Sequence, residues 1–329
     1  MSQHEFRKEI PEVEIEALSG RLRKDVSTLA TEIGPRSIFV PEALARSVHF
    51  LNSRFKEFGY DVAHEDVTVH PEYVYNGVWI EKTTTVFNIV AEKKGTTKPD
   101  EIVILGAHYD TPGNKIPGAN DNASGVAAML EIARVLKDAA TERTIRFIGY
   151  VNEEPPFTWE ECMGSIVSAR RSKEKGENIV AMVSLDEIGC YRDAGISPWL
   201  TEKQLRARAG NDSVICMTYG SGDKLLEKFA KELERHADVP VTAIFGHSRV
   251  DSNGHVWPTF DHHGYSDHME YLGLGYPALC VTDTGPFRYG DHYHTDSDTE
   301  DKLDYPILAK VTIGLEAAVR DLVTERDED

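Results

Sequence analysis

Three short apolar runs constrain this chain more than any other feature, because each ends in side chains that do not belong beside a hydrophobic core. EIVILGA (101–107) runs into His108-Tyr109-Asp110, TIRFIGYV (144–151) into Asn152-Glu153-Glu154, and NIVAMVSLDEIG (178–189) carries Asp186 toward its end. Short runs rich in Ile and Val read as strands buried on both faces. An amphipathic segment, NASGVAAMLEIARVLKDA (122–139), and a second helical stretch at 164–175 separate them. That order predicts right-handed crossovers and a sheet covered on both sides. The expected class is α/β: a three-layer sandwich with a mixed, mostly parallel central sheet and helices on both faces.

The rest of the chain fits around this unit. Helical periodicity covers 13–32 and 41–58, with Pro41 well placed at a helix start. Strand patterns follow at 62–70 and 84–95, then at 213–220 and 277–284, with helices at 223–237 and 303–323, the last near Pro306. Residues 192–212 and 246–268 are rich in Gly, Asp, Ser and His and read as irregular, so 192–268 is expected to hold a lid or rim segment. At 329 residues and 40% hydrophobic content the chain can bury a sizeable core. One catalytic domain over 1–329 is expected, with 1–33 as a helical lead-in.

Charge and cysteine usage narrow the function. Lys and Arg number 36 against 55 Asp and Glu, a net charge of −19. No basic stripe is present to hold phosphates, which argues against a nucleic-acid partner. No stretch reaches the roughly 18–20 apolar residues of a membrane span, and the charged start MSQHEFRKEIPEVEIE has no apolar signal core. Cys162, Cys190, Cys216 and Cys280 are scattered, as free thiols of a reducing compartment would be. A cytoplasmic protein is expected. Oligomeric state is not written in the sequence.

Ligands of open α/β sheets sit beyond the carboxyl ends of the strands. Three strand ends therefore aim ligand-type residues at one crevice. Asp121 lies in the turn PGANDNASG, where it reads either as a helix N-cap or as a bridging carboxylate. His294 and His292 both lie in DHYHTDSDTEDKLDY beyond the last strand, and chemistry alone does not choose between them. Two metal ions with one bridging carboxylate, plus one imidazole and one carboxylate each, would use five residues. Nitrogen and oxygen donors without thiolate suit zinc, with cobalt or manganese as substitutes.

The motifs GAHYDT (106–111), GANDNASG (118–125), NEE (152–154), SLDEIG (184–189), YSDH (265–268) and YHTDSDT (293–299) occur in an order that resembles the co-catalytic zinc aminopeptidases, family twenty-eight of the metallopeptidases. The resemblance runs from about Gly34 to Ala318 and includes glutaminyl cyclases among the relatives. It implies two zinc ions, with His108 and Asp186 on one, Glu154 and His294 on the other, and Asp121 between them. Glu153 would be the general base, and Asp110 would orient His108 through its other ring nitrogen. The implied substrate is a peptide with a free N-terminus.

This sequence departs from the family where PPFTWEECM (155–163) follows the glutamate pair, a loop expected to overhang the cleft. It also lacks the insertions of the larger carboxypeptidase members. Arg288, Trp159, Asp267 and His268 are candidate substrate contacts, although Arg288 also reads as an ion-pair partner and Trp159 as packing. His247, His255, His262 and His263 read as surface or lid residues. Ser266-Asp267-His268 is no serine-hydrolase triad, since three consecutive residues cannot take that geometry. Two other functions compete: one-zinc cyclisation of N-terminal glutamine, and peptide binding without catalysis.

Overall fold

Alternation of side chains along the strands decides which helices cover which face. The computed structural model describes residues 10–71, 73–75, 77–191, 213–246, 248–250, 256–258, 266–283 and 292–324. Its strands are β1 (Asp61–Val69), β2 (Val74–Tyr75), β3 (Val78–Trp79), β4 (Thr84–Lys93), β5 (Lys98–His108), β6 (Arg143–Tyr150), β7 (Asn178–Leu185), β8 (Val214–Tyr219), β9 (Val241–Gly246), β10 (Ser248–Val250), β11 (Val256–Pro258) and β12 (Ala278–Thr282). Helices are α1 (Glu12–Ser27), α2 (Pro41–Glu57), α3 (Gly125–Leu136), α4 (Gly164–Glu174), α5 (Asp223–Ala237), α6 (Met269–Gly273) and α7 (Tyr305–Thr324).

Eight strands form one sheet in the order β1-β4-β6-β5-β7-β12-β8-β9. The central run β6-β5-β7-β12 is parallel. Strands β1 and β4 add to it antiparallel, and so does β8 beyond β12. This is the mixed, mostly parallel sheet that the strand–helix order predicts.

Val103, Leu105, Ile145 and Phe147 point into a core shared with α1, α2, α3, α5 and α7. Their neighbours Ile102, Ile104, Ile148 and Tyr150 point the other way, onto α4 and α6. The two-residue period of a strand thus supplies both cores from the same segments. Each fully buried Leu, Ile, Val or Phe contributes about 1.5–3 kcal/mol relative to exposure.

Two local features set the strand ends that matter. The helix expected over 122–139 begins only at Gly125, because residues 119–124 form a wider π-turn with Asp121 at φ −109°, ψ 90°. A Cβ on Gly125 would stand 2.7 Å from the Leu185 carbonyl oxygen, so this helix start lies directly against the end of β7. Asn122 ties the two together. Its amide donates to Leu185 O at 2.8 Å and its oxygen accepts from the Gly125 and Glu187 N–H groups at 3.0 and 3.2 Å.

Two short pieces depart from the sequence reading. Residues 74–79 form a hairpin, and part of 246–268 is ordered as β10 paired with β11. Of the expected rim segment, residues 192–212 and His247, His255, His262 and His263 lie outside the described residues, as does Arg288 beyond it. Among the described residues no helix is long and apolar enough to cross a membrane.

Candidate metal centre

At the carboxyl edge of the parallel strands, five side chains from five segments meet. His108 ends β5, Glu154 follows β6, Asp186 follows β7, Asp121 comes from the turn before α3, and His294 from the segment before α7. The Nε2 of His108 lies 3.2 Å from Asp121 Oδ1 and 3.3 Å from Asp186 Oδ1. The Nε2 of His294 lies 3.1 Å from Asp121 Oδ2 and 3.1 Å from Glu154 Oε2. Asp121 therefore turns one oxygen to each imidazole. Ligand-capable atoms of His108, Asp121 and Glu154 lie within 4.8 Å of one another.

The electrostatics match this crowding. Burial disfavours charge on His108, yet Asp186 and the other carboxylates hold its pKa well above the ordinary value. His294 is likewise opposed by burial but lifted by Glu154 and Asp121 to about 11. Burial, then the charge of Asp121, pushes Glu154 up to about 8, and its Oε1 is buried with no hydrogen-bond partner among the described residues. Burial and the neighbouring acids raise Glu153 well above the carboxylate range, although the charge of His108 opposes them. An array that needs protons on its imidazoles and carboxyls has negative charge to spare for cations.

Glu153 stands beside this set without belonging to it, with Oε2 3.9 Å from His108 Nε2. Asn152, which precedes the pair, has a left-handed backbone (φ 59°) and donates its amide to Cys162 O at 3.1 Å. That fixes the sharp exit from β6. His292 is placed elsewhere, its Nδ1 2.8 Å from Ser297 Oγ. Of the two histidines that chemistry left open, His294 is the one at the carboxylates.

Asp110 faces the other ring nitrogen of His108, with Oδ1 3.7 Å from Nδ1, and is among the acids that raise His108. Its oxygens also accept the backbone N–H groups of Glu153 and Glu154 at 3.2 and 3.4 Å. The carboxylate is drawn to the two unpaired amides left where β6 ends, so it joins the tips of β5 and β6.

The candidate substrate contacts separate by their surroundings. Asp267 is fully buried, and burial raises it to about 7, with the charges of His108, Asp186 and Asp110 also acting on it. His268 is buried, and burial lowers it to about 3. Trp159 is 40% exposed on the loop after Glu154. Around it the loop is held down: Phe157 stacks on Phe39 at 6.0 Å, Thr158 Oγ1 donates to Glu153 O at 2.7 Å, and Tyr73 OH donates to Glu160 at 3.2 Å.

Sequence reasoning missed four supports. The buried guanidinium of Arg36 donates to the carbonyls of Leu29, Gly34, Tyr109, Pro117 and Gly118. Burial lowers it to about 10, against the raising charges of Asp298, Asp110 and Asp121. Asp298 accepts the N–H groups of Asn120 and Asp121 at 2.8 and 3.1 Å, and Asp283 accepts from Asn120 and Cys190. Glu187, next to Asp186, has a left-handed backbone (φ 52°). Asp298 lies within the YHTDSDT motif, so a signal for it was on hand. Nothing in the local pattern marks Arg36.

Fold and donor set together are those of α/β metallohydrolases. Residues 88–319 match Peptidase family M28, and the chain belongs to that family of metallopeptidases. It is similar to the uncharacterized protein YfbL of Escherichia coli K12, 29% identical over 316 residues, covering 93% of this chain and 89% of that one. A probable zinc metalloprotease of Pyrenophora teres f. teres is 26% identical over 242 residues, covering 67% of this chain and 46% of its own length. The chain thus spans about half the length of that fungal relative. Among solved structures, BSAP, a zinc aminopeptidase from Bacillus subtilis, superposes with a TM-score of 0.71 at 17% identity, covering 94% and 96% of the two chains. A Porphyromonas gingivalis glutaminyl cyclase gives 0.64 at 18%, covering 93% and 98%. At such identities the likeness is one of fold.

Proposed function

We propose that this protein is an aminopeptidase that removes the N-terminal residue of peptides at a centre of two zinc ions. One observation carries the reading: Asp121 presents its two oxygens to two imidazoles, and each imidazole has one further carboxylate, Asp186 or Glu154. His108 and Asp186 would hold one ion, Glu154 and His294 the other, and Asp121 both. The donors are nitrogen and oxygen only, which suits zinc and admits cobalt or manganese. Relatives named as zinc proteins support the same metal.

When bound, the ions supply Lewis-acid polarisation of the scissile carbonyl and activation of water. The protein's own groups do the rest. Glu153, beside the ligands but not among them, takes the proton of the attacking water on its carboxylate and delivers it to the leaving amine. Asp110 keeps the Glu153-Glu154 backbone in place through the two N–H groups it accepts. The half-exposed Trp159 and the 155–163 loop, which follow Glu154 in the chain, would border the substrate.

Digestion of a peptide library followed by mass spectrometry, with and without chelator, tests the reading. Stepwise loss of N-terminal residues that chelator abolishes is expected. Pyroglutamate formation without cleavage, trimming from the carboxyl end, or no product at all would each contradict it.

A further inference from the structure

Asp298 stands four residues after His294, in the turn that carries that histidine, and of residues 292–302 it alone is buried. A buried carboxyl group on a partly exposed turn needs hydrogen-bond partners, and its partners come from across the site. Its Oδ1 accepts the Asn120 N–H at 2.8 Å, its Oδ2 the Asp121 N–H at 3.1 Å, and its carbonyl the Ala119 N–H at 3.3 Å. Three successive amides of the Asp121 turn thus end on one residue of the His294 turn. A carboxylate can accept with both oxygens, whereas a side-chain amide or a hydroxyl offers one acceptor oxygen.

The two halves of the centre depend on this joint unequally. His108 closes β5 and Asp186 follows β7, and both strands are flanked by neighbours on either side. The side chain of His108 is 1% exposed. His294 rides on a turn, with its side chain 28% exposed and its backbone at φ 55°. A residue other than glycine keeps that left-handed conformation where its surroundings hold it. Bonds from Thr295 to His292 O and from the Asp298 N–H to Thr295 O shape the turn from within, but they do not tie it to the Asp121 turn. Tyr293, stacked on His294 at 3.9 Å, belongs to the same turn and moves with it. On the His108 side, Asp298 bears on one of three proposed ligands, Asp121. On the other side it bears on two of three, Asp121 and His294, and leaves Glu154 to β6.

We propose that Asp298 is the positioning residue of the His294 half of the centre: it joins the turn of His294 to the turn of Asp121 and so sets the affinity for the ion on that side. The His108 side is set by strand ends and is nearly independent of it. This rests on the two-ion reading above.

Calorimetric titration of the metal-free full chain with zinc tests the proposal without turnover. The unaltered protein should show two binding events. Asp298→Asn, which keeps the size but replaces one acceptor oxygen by an N–H donor, should weaken one event on the order of 10- to 100-fold and the other by less than about threefold. Asp298→Ala should do the same. His294→Ala identifies the event: it should abolish the one that Asp298→Asn weakens. Adding Asp298→Asn to His294→Ala should then change the remaining event by less than about threefold, because the two changes act through the same ligand. A merely structural role would lower the Tm of the metal-free protein and weaken both events together. Equal weakening of both events, no change in either, loss of the event that survives His294→Ala, or failure of both Asp298 variants to fold would each overturn the assignment. If the unaltered protein binds a single zinc ion, the two-ion reading fails; if it binds two and Asp298→Asn keeps both as tightly, only the role of Asp298 fails.

Discussion

Glu153→Gln is expected to lower kcat on N-terminal residues by roughly 100- to 10,000-fold, the range for removing a positioned general base. Metal content and Tm should stay at the level of the unaltered protein. The basis is the division of labour after β6. Glu154 Oε2 is 3.1 Å from His294, whereas Glu153 Oε2 stands 3.9 Å from His108 Nε2. The change keeps the size of the side chain and removes only its capacity to take a proton. Both backbone N–H groups stay bound to Asp110, so the turn has no reason to move. Steady-state kinetics with metal analysis would check it, and activity within about tenfold of the original would deny Glu153 this role.

Arg36→Met is expected to cost at least about 3–5 kcal/mol of stability, because it deletes a buried charge-bearing partner and leaves its acceptors unpaired. The guanidinium is completely buried and serves five carbonyls from three segments: the turn after α1, the tip of β5, and the Pro117-Gly118 turn. The last of these leads directly into Asp121. Arg36→Lys should recover little, since one ammonium cannot span acceptors arranged for a planar fork. Thermal unfolding of the metal-free protein measures both changes. A fall in Tm of less than about 2 °C for Arg36→Met would show that the clamp holds nothing together.

The sheet and the donors were legible in the sequence to different depths and for different reasons. TIRFIGYV and EIVILGA announce buried strands because both faces of a covered parallel sheet need apolar residues, and their polar endings mark the edge where a ligand sits. That was enough to bring His108, Glu154 and Asp186 together. The place of β12 between β7 and β8 was not readable, because chain order does not fix which edge a late strand joins. The choice of His294 over His292 rested on the family pattern, and only the distances to Asp121 and Glu154 supply a physical reason. Arg36 and Asp283 stayed hidden because their partners are backbone groups, or amides far away in sequence, and no local periodicity encodes those. Asp110 faces the ring nitrogen the family pattern gives it, but its two strand-end amide contacts had no signal in the sequence.

The central claim is that Asp121 lies between two metal ions. Anomalous diffraction at the zinc absorption edge, on crystals of the full chain grown with zinc, tests it most directly. Two peaks about 3.5–4 Å apart are expected, one contacted by His108 and Asp186, the other by Glu154 and His294, with Asp121 reaching both. A single peak, or a second one held by residues other than Glu154 and His294, would contradict it.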